Sequence, residues 1–306
     1  MTMDDGKNDW KALDEAGFIP GATESEAEFR QRVRMLQEWS AGLERQDLQL
    51  PETDQHIPLV KKIARADLHK QGDLVWRLYG ARPDWVPAYY EDRGLPLLTG
   101  GMAVTFKENE TSPWKTFFQL KSVFQKKDRW LIYGSGELIN HEMCHVARAA
   151  LRSVRYEEYF AYQTSASRFR RWIGGALLTP GDNKILLLAI GWLLAVDVLA
   201  LLTRADYLSH TWLAVGPLLV VTVLGLWRNG NIHGEIRRAR ALLLAFFGQR
   251  TNALLFRLTD EDIRYLSTMK PHEFGSFWTS IGGFRGHILR VLYMPDQDAT
   301  KSGAVQ

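Results

Sequence analysis

Two stretches of the chain carry almost no charge. Residues 185–203 hold one charged side chain, Asp197, and residues 211–227 hold none. Each stretch is close to the length of about 20 residues that a helix needs to cross the hydrocarbon layer of a bilayer. Two adjacent helices without a polar face are unusual as core helices in a chain of this size. The pattern therefore predicts a transmembrane hairpin over residues 184–228.

Basic side chains flank the hairpin on both sides. They are Arg168, Arg170, Arg171 and Lys184 before it, and Arg228, Arg237, Arg238 and Arg240 after it. The connection inside the hairpin contributes only Arg204, and basic flanks favour the cytoplasmic side. We therefore expect an integral protein of a bacterial inner membrane, with both flanks in the cytoplasm. The arginines could instead contact nucleic acid. Their placement on both sides of the hairpin favours a role in fixing the membrane topology, and the net charge is only +3. We therefore predict no nucleic-acid partner.

The N-terminal part, residues 1–58, is polar at first and then amphipathic. Residues 1–22 predict a loose polar leader. They show no basic segment followed by an apolar core, so the pattern does not predict a cleavable signal peptide. Thr23 and Glu26 have the spacing of a capping box at a helix start. Apolar residues then recur at helical spacing, namely Phe29, Val33, Leu36, Trp39 and Leu43.

Strand-like and helix-like patterns alternate in the remaining regions. Within residues 59–183, the segments 102–106, 114–124 and 130–133 are rich in β-branched and aromatic residues, which favours strands. Residues 229–306 are predicted to be helical, with one apolar stripe formed by Ile236, Ala239, Leu243 and Phe247 and another helix beginning after Thr259. The expected fold is α+β and mainly helical, with two transmembrane helices and a small antiparallel sheet before residue 137.

The helix predicted next carries an H-E-x-x-H motif. His141 and His145 are four residues apart, so a helix places both imidazoles on one face, where they can bind one Zn²⁺. Glu142 lies beside them and can take a proton from a zinc-bound water. The only cysteine, Cys144, leaves no cysteine zinc site and no intramolecular disulfide. The motif predicts a zinc site with a general base.

A catalytic zinc needs a third protein ligand. Glu157 and Glu158 follow the motif closely enough to return to it, and the spacing leaves both open, along with the alternative that they are a solvated helix face. Glu158-Tyr159-Phe160-Ala161 is similar to the E-x-x-A segment of membrane-embedded zinc metallopeptidases of the gluzincin type. That resemblance, which is at the level of motifs, implies Glu158 as the zinc ligand. Tyr162 stands where those peptidases have an aspartate.

The resemblance implies an integral-membrane zinc endopeptidase with a peptide or protein substrate and a cytoplasmic catalytic region. Tyr162, one helical turn after Glu158, is a candidate donor to the oxyanion, or a packed residue. We expect substrate to add as a further strand to the edge of a strand within residues 102–124, with 116–124 the better candidate by position. His233, His272 and His287 are further candidate donors. The alternatives are a non-enzymatic membrane scaffold or sensor, and a zinc hydrolase of another bond.

Overall fold

The computed structural model describes residues 3–50, 55–96, 99–107, 114–176, 180–203 and 207–294. The protein is mainly helical and has three small sheets in this part of the chain. The helices are α1 (Met3–Glu15), α2 (Glu26–Gly42), α3 (Arg65–Gln71), α4 (Asp73–Tyr79), α5 (Ser135–Arg148), α6 (Glu157–Tyr162), α7 (Arg168–Ile173), α8 (Pro180–Thr203), α9 (Tyr207–Phe247), α10 (Thr251–Phe256), α11 (Asp260–Thr268), α12 (Phe274–Ser280) and α13 (Gly283–Tyr293). The strands are β1 (Leu48–Leu50), β2 (Gln55–Ile57), β3 (Ala88–Tyr90), β4 (Gly101–Phe106), β5 (Lys115–Leu120), β6 (Arg129–Trp130) and β7 (Tyr133–Gly134).

The predicted loose leader is wrong for most of its length, because α1 and the segment after it belong to the core. Phe18 and Ile19 are buried there. Asp14 accepts hydrogen bonds from Arg257 at 2.6 and 2.7 Å and from the Tyr293 hydroxyl at 2.9 Å. This ion pair joins the N-terminal helix to residues more than 240 positions away, which no local pattern indicates.

The amphipathic helix α2 is confirmed, with a start two residues later than predicted. Ser25 is the N-cap, and its backbone amide donates to Glu28 at 2.8 Å in a reciprocal capping box. Buried Phe29, Val33 and Leu36 form its inner face.

The central sheet is mixed, so the prediction of an antiparallel sheet is wrong in part. Its order is β3-β5-β4: β4 runs antiparallel to β5, and β3 runs parallel to it. The hairpin-like pair β4 and β5 was predicted. The short strand β3 follows a proline, Pro87, and three residues give too little alternation to identify a strand or its direction.

Strand β5 supports the helix that carries the motif. On one face Phe118 and Leu120 pack in the main core with Ile139 and Met143 of α5. On the other face Phe117 belongs to a second cluster with residues of β1, β2 and β3. Helix α5 therefore rests on a strand that is buried along both faces.

Two helices are long and apolar enough to cross a membrane, in the stretches Lys184–Thr203 and Thr211–Phe256. Only 17% and 6% of their most apolar windows are buried in the protein, which distinguishes them from core helices. Arg228 of α9 donates to Asp182 of α8 at 3.0 and 3.1 Å. The two ends that adjoin the rest of the chain therefore lie together. Arg204, a potential partner of Asp197, is outside the described residues.

Helix α9 continues without a break from the apolar stretch into the core. Its 41 residues span about 60 Å, roughly twice the hydrocarbon layer. The predicted stripe is confirmed, since Ile236, Ala239, Leu243 and Phe247 are all buried. Thr259 caps α11 as predicted. One helix thus belongs to both the predicted hairpin and the predicted C-terminal region.

The Asp14–Arg257 pair generates a stability prediction. Asp14→Asn leaves the fully buried Arg257 charge without a counter-charge, so we expect a loss of about 3–5 kcal/mol in the free energy of unfolding. Urea unfolding in detergent micelles, followed by tryptophan fluorescence, measures it. The control Glu26→Gln removes an exposed pair with Arg30 and should cost no more than about 0.5 kcal/mol. Equal losses in the two variants contradict the assignment.

Candidate metal centre

Helix α5 brings two imidazoles to one point. His141 and His145 lie on one face of the helix, and buried Ile139 and Met143 hold the opposite face in the core. The Nε2 atoms of the two histidines are 3.1 Å apart, and the rings meet edge-on with centroids 4.8 Å apart. The predicted convergence of these residues on one face is therefore present.

Glu158 of α6 meets the same point. Its Oε2 lies 3.5 Å from His141 Nε2, and its Oε1 lies 3.6 Å from His145 Nε2. Tetrahedral zinc with bonds of roughly 2.0–2.1 Å separates neighbouring ligand atoms by about 3.3–3.4 Å. The 3.5 and 3.6 Å distances involve different oxygens of Glu158, and one donor atom from each residue lies within 4.8 Å of the other two. Two imidazoles and one carboxylate are a donor set that zinc sites use, so His141, His145 and Glu158 could hold a metal ion.

Glu157 lies next to the second ring nitrogen of His145, Nδ1. Its Oε1 is 3.3 Å from His145 Nδ1, and its Oε2 accepts a hydrogen bond from Arg148 Nε at 3.0 Å. A carboxylate on the second ring nitrogen fixes the tautomer that leaves Nε2 free for a metal. Of the two carboxylates that the spacing left open, Glu158 thus lies at the ligand position, and Glu157 lies behind His145.

Arg148 is a site residue that the motif and its spacing did not indicate. Its guanidinium is fully buried; it donates to Glu157, to the Phe256 carbonyl and, at 2.9 Å, to Ser153 Oγ. The available signal was its position three residues after His145, next to the apolar residues Val146 and Ala147. A charge at such a position requires a buried partner.

The C-terminal half fixes the connection between α5 and α6. Asp260 accepts hydrogen bonds from the backbone amides of Val154 and Arg155, both at 2.8 Å. Glu235 of α9 accepts from Arg155 at 2.9 Å and from the Tyr156 hydroxyl at 2.6 Å. The turn that returns Glu158 to the histidines is therefore tied to the long helix α9 and to the start of α11.

Glu142 lies beside the metal position and is buried. Burial raises the pKa of its carboxyl to about 7, with the Glu158 carboxylate adding to the rise and His145 opposing it. The backbone amide of Ala103 donates to this carboxylate. A Cβ on Gly101 would lie only 2.6 Å from a methyl carbon of Leu120, so glycine lets β4 pass close to this residue of β5. Glu142 Oε1 would lie at an ordinary contact distance of 3.4 Å from that Cβ. A carboxyl with a pKa near neutrality suits a general base.

Tyr162 packs against the site. Its ring meets His141 edge-on with centroids 4.7 Å apart and covers Gly174, where a Cβ would overlap the ring. Burial, with the Glu158 carboxylate nearby, raises the pKa of the phenol. Tyr162 is therefore packed and also stays protonated, as a hydrogen-bond donor must.

A cleft of ≈ 1980 Å³ opens over the metal centre and contains all five predicted site residues in its lining. The strand β4 forms part of one wall. The lining also includes Arg32 of α2, Phe169 of α7 and Leu187 of α8. His233 instead contacts Tyr159 and the carbonyl of Trp172, and His272 and His287 do not line this cleft.

The strand beside the metal centre, β4, has a free edge. It lies within the predicted range 102–124 but outside the preferred segment 116–124. In the described part of the chain β4 pairs on one side only, with β5. The Gly100 carbonyl accepts from the Lys121 amide at 2.9 Å, so alternate residues from Gly100 onward face β5. The backbone groups of Gly101, Ala103 and Thr105 therefore face the cleft. The preferred docking segment, 116–124, is wrong because β5 is the central strand.

No family model, curated protein or solved structure matches the chain. The function is therefore argued from the geometry of the site.

Without metal, the two histidines differ in charge. Burial lowers the pKa of His141. Burial also acts against charge on His145, but the adjacent Glu158 and Glu157 carboxylates raise its pKa to about 10. At neutral pH His145 in the metal-free site is therefore a charged imidazolium, and a metal ion would have to displace its additional proton.

We expect this proton to appear in the zinc-binding equilibrium. Between the pKa of Glu142 (about 7) and that of His145 (about 10), about one proton should leave per zinc bound, and affinity should rise about tenfold per pH unit. Calorimetric zinc titrations of the metal-free protein, in two buffers with different protonation enthalpies, measure the release. Identical heats in the two buffers would contradict the assignment of charge to His145.

The two carboxylates should have separable effects on metal affinity. Glu157→Gln should weaken zinc binding about 10- to 100-fold, as expected for a partner of a ligating histidine. Glu158→Gln removes a ligand and should weaken binding further. Competition with a zinc chelator measures both affinities, and circular dichroism checks that each variant is folded. If Glu157→Gln has the larger effect, the two roles are reversed.

Proposed function

We propose that this protein is an integral-membrane, zinc-dependent endopeptidase. The observation that carries the proposal is the convergence of His141, His145 and Glu158, which each offer one metal-binding atom within 4.8 Å of the other two. Buried Glu142 and an unpaired strand edge adjoin those donors. The donors supply a metal site, Glu142 supplies a base, and the strand edge supplies a place for a peptide backbone.

The residues divide the chemistry between them. Zinc, when bound, polarises the scissile carbonyl and lowers the pKa of a water molecule that it holds. Glu142 takes the proton from that water and passes it to the leaving amine nitrogen. Tyr162 donates a hydrogen bond to the oxygen on which negative charge develops. Glu157 and Arg148 keep His145 in the tautomer that binds metal.

The free edge of β4 favours a peptide over other substrates. A peptide in extended conformation can add to such an edge through its backbone, while its side chains occupy pockets of the cleft. Gly101 and Thr105 offer backbone groups for this pairing, together with the carbonyl of Ala103, whose amide already donates to Glu142. A hydrolase of a small non-peptide substrate has no need of a free strand edge beside its metal.

The membrane setting follows from α8 and α9. Both helices have the length and composition of membrane spans, and the basic residues lie at the end where Asp182 meets Arg228. By the preference of basic flanks for the cytoplasm, we place the metal centre on the cytoplasmic side of a bacterial inner membrane.

The enzymatic role can be tested with two site variants. Wild-type protein purified in detergent should contain about one zinc per chain, and His141→Ala should contain little. Glu142→Gln should retain zinc and lose about 10²- to 10⁴-fold in peptide cleavage, because the metal site is intact and the base is absent. Elemental analysis measures zinc, and mass spectrometry of a peptide library measures cleavage.

An exposed glutamate of α2 provides the control. Glu38→Gln should leave both zinc and cleavage unchanged. Absence of zinc from the wild-type protein overturns the metal site. Zinc without cleavage in the wild type leaves a metal-binding scaffold or sensor, and cleavage of other bonds alone indicates a different hydrolase.

A further inference from the structure

Four large apolar side chains are exposed next to the first candidate span. They are Leu131 and Ile132, between β6 and β7, and Phe169 and Trp172 of α7, with exposed fractions of 64%, 63%, 65% and 47%. Arg170 joins the two elements, because it donates to the Ile132 carbonyl at 2.5 Å and to Glu137 at 2.7 Å. We call these four side chains the α7–hairpin patch. Exposed apolar side chains grouped in this way indicate an interaction surface.

The hairpin tip has an unusual residue for its conformation. Trp130 pairs with Tyr133, so Leu131 and Ile132 form a two-residue turn. Leu131 has a φ of +51°, and the first position of such a turn with positive φ is normally glycine. A leucine at this position is both strained and exposed to solvent. Folding alone does not account for either property, whereas a partner that takes up the leucine accounts for its exposure.

The depth of the patch relative to the spans can be derived from α9. The Trp172 carbonyl accepts a hydrogen bond from Asn229 and lies 3.0 Å from His233 Nε2. These residues are two and six positions beyond Trp227, the last residue before the first charge of α9, which corresponds to about 3–9 Å along the helix axis. The headgroup layer is about 5–7 Å thick on each side of the hydrocarbon core. Trp172 therefore lies at headgroup depth when the apolar part of α9 spans the bilayer.

The charges around the patch match an anionic surface. Exposed Lys126, Lys127 and Arg129 precede the hairpin tip, with Asp128 among them, and exposed Arg168 begins α7. Trp227, 68% exposed, ends the second apolar stretch at a similar level. Tryptophan and basic residues at this depth are typical of the membrane interface.

We propose that the α7–hairpin patch inserts into the headgroup layer of an anionic membrane, as a contact additional to the two spans. Ile132 and Phe169 also line the cleft that contains His141 and Glu142. The proposed insertion then brings these two lining residues of the cleft to the bilayer surface. This inference concerns the position of the protein on the membrane and holds whether or not the site is catalytic.

Site-directed fluorescence tests the insertion. Full-length Leu131→Cys, labelled with an environment-sensitive dye, is reconstituted in vesicles of phosphatidylglycerol and phosphatidylethanolamine that contain a lipid spin-labelled near the headgroup. Phe169→Cys is a second variant, in case the hairpin does not tolerate a label. The native Cys144 is fully buried, and wild-type protein treated in parallel gives the background labelling.

The matched control is Leu244→Cys. Leu244 is also an exposed leucine, at 54%, but it lies on α9 about 25 Å beyond Trp227 along the helix axis. We expect blue-shifted emission and several-fold stronger quenching by the spin-labelled lipid at positions 131 and 169 than at 244. Emission at 131 and 169 equal to that at 244 overturns the proposal. Shielded dyes that the lipid does not quench also overturn it, since a protein partner would then cover the patch.

Discussion

The fully buried charge of Arg148 is the constraint on which the candidate site depends. A guanidinium without access to water needs a counter-charge and hydrogen-bond acceptors, and Glu157 supplies the charge while the Phe256 carbonyl supplies an acceptor. Meeting this need draws the start of α6 back against the end of α5. Glu157 is thereby placed on Nδ1 of His145, and the next residue, Glu158, faces the two Nε2 atoms. The ion pair of Arg148 with Glu157 thus explains why Glu157 lies at Nδ1 of His145 while Glu158 lies at Nε2.

Helix α9 gives the same region a second constraint. Residues 211–227 are apolar and mostly exposed, whereas one face of the helix beyond them, with Ile236, Ala239 and Leu243, is buried. Glu235, in that later part, accepts hydrogen bonds from Arg155 and Tyr156 beside α6. The segment with the character of a membrane span and the segment that positions Glu158 are therefore parts of one continuous helix. The candidate metal centre and the apolar stretch of α9 are thus joined by this helix and not by a flexible linker.

The sequence allowed prediction of features that depend on local spacing. His141, Glu142 and His145 follow from four-residue periodicity, and the buried stripe of α9 follows from the same rule applied at Ile236, Ala239 and Leu243. Features that depend on distant partners were missed. The polar N-terminus gave no sign that Asp14 pairs with Arg257, and strand composition did not show that β5 is central and β4 is the edge. Arg148 was overlooked because its partners Phe256 and Leu258 lie more than 100 residues away. The choice between Glu157 and Glu158 depends on side-chain direction after a turn, which spacing does not determine.

We propose that His141, His145 and Glu158 bind one zinc ion together. Zinc K-edge X-ray absorption of the purified, zinc-loaded protein would detect this coordination. We expect about two imidazole nitrogens and additional oxygen atoms at roughly 2.0–2.2 Å, with no sulfur at about 2.3 Å. Substitution of His145 should remove one imidazole contribution from the spectrum. A sulfur ligand, or a spectrum with no imidazole contribution, would contradict the account.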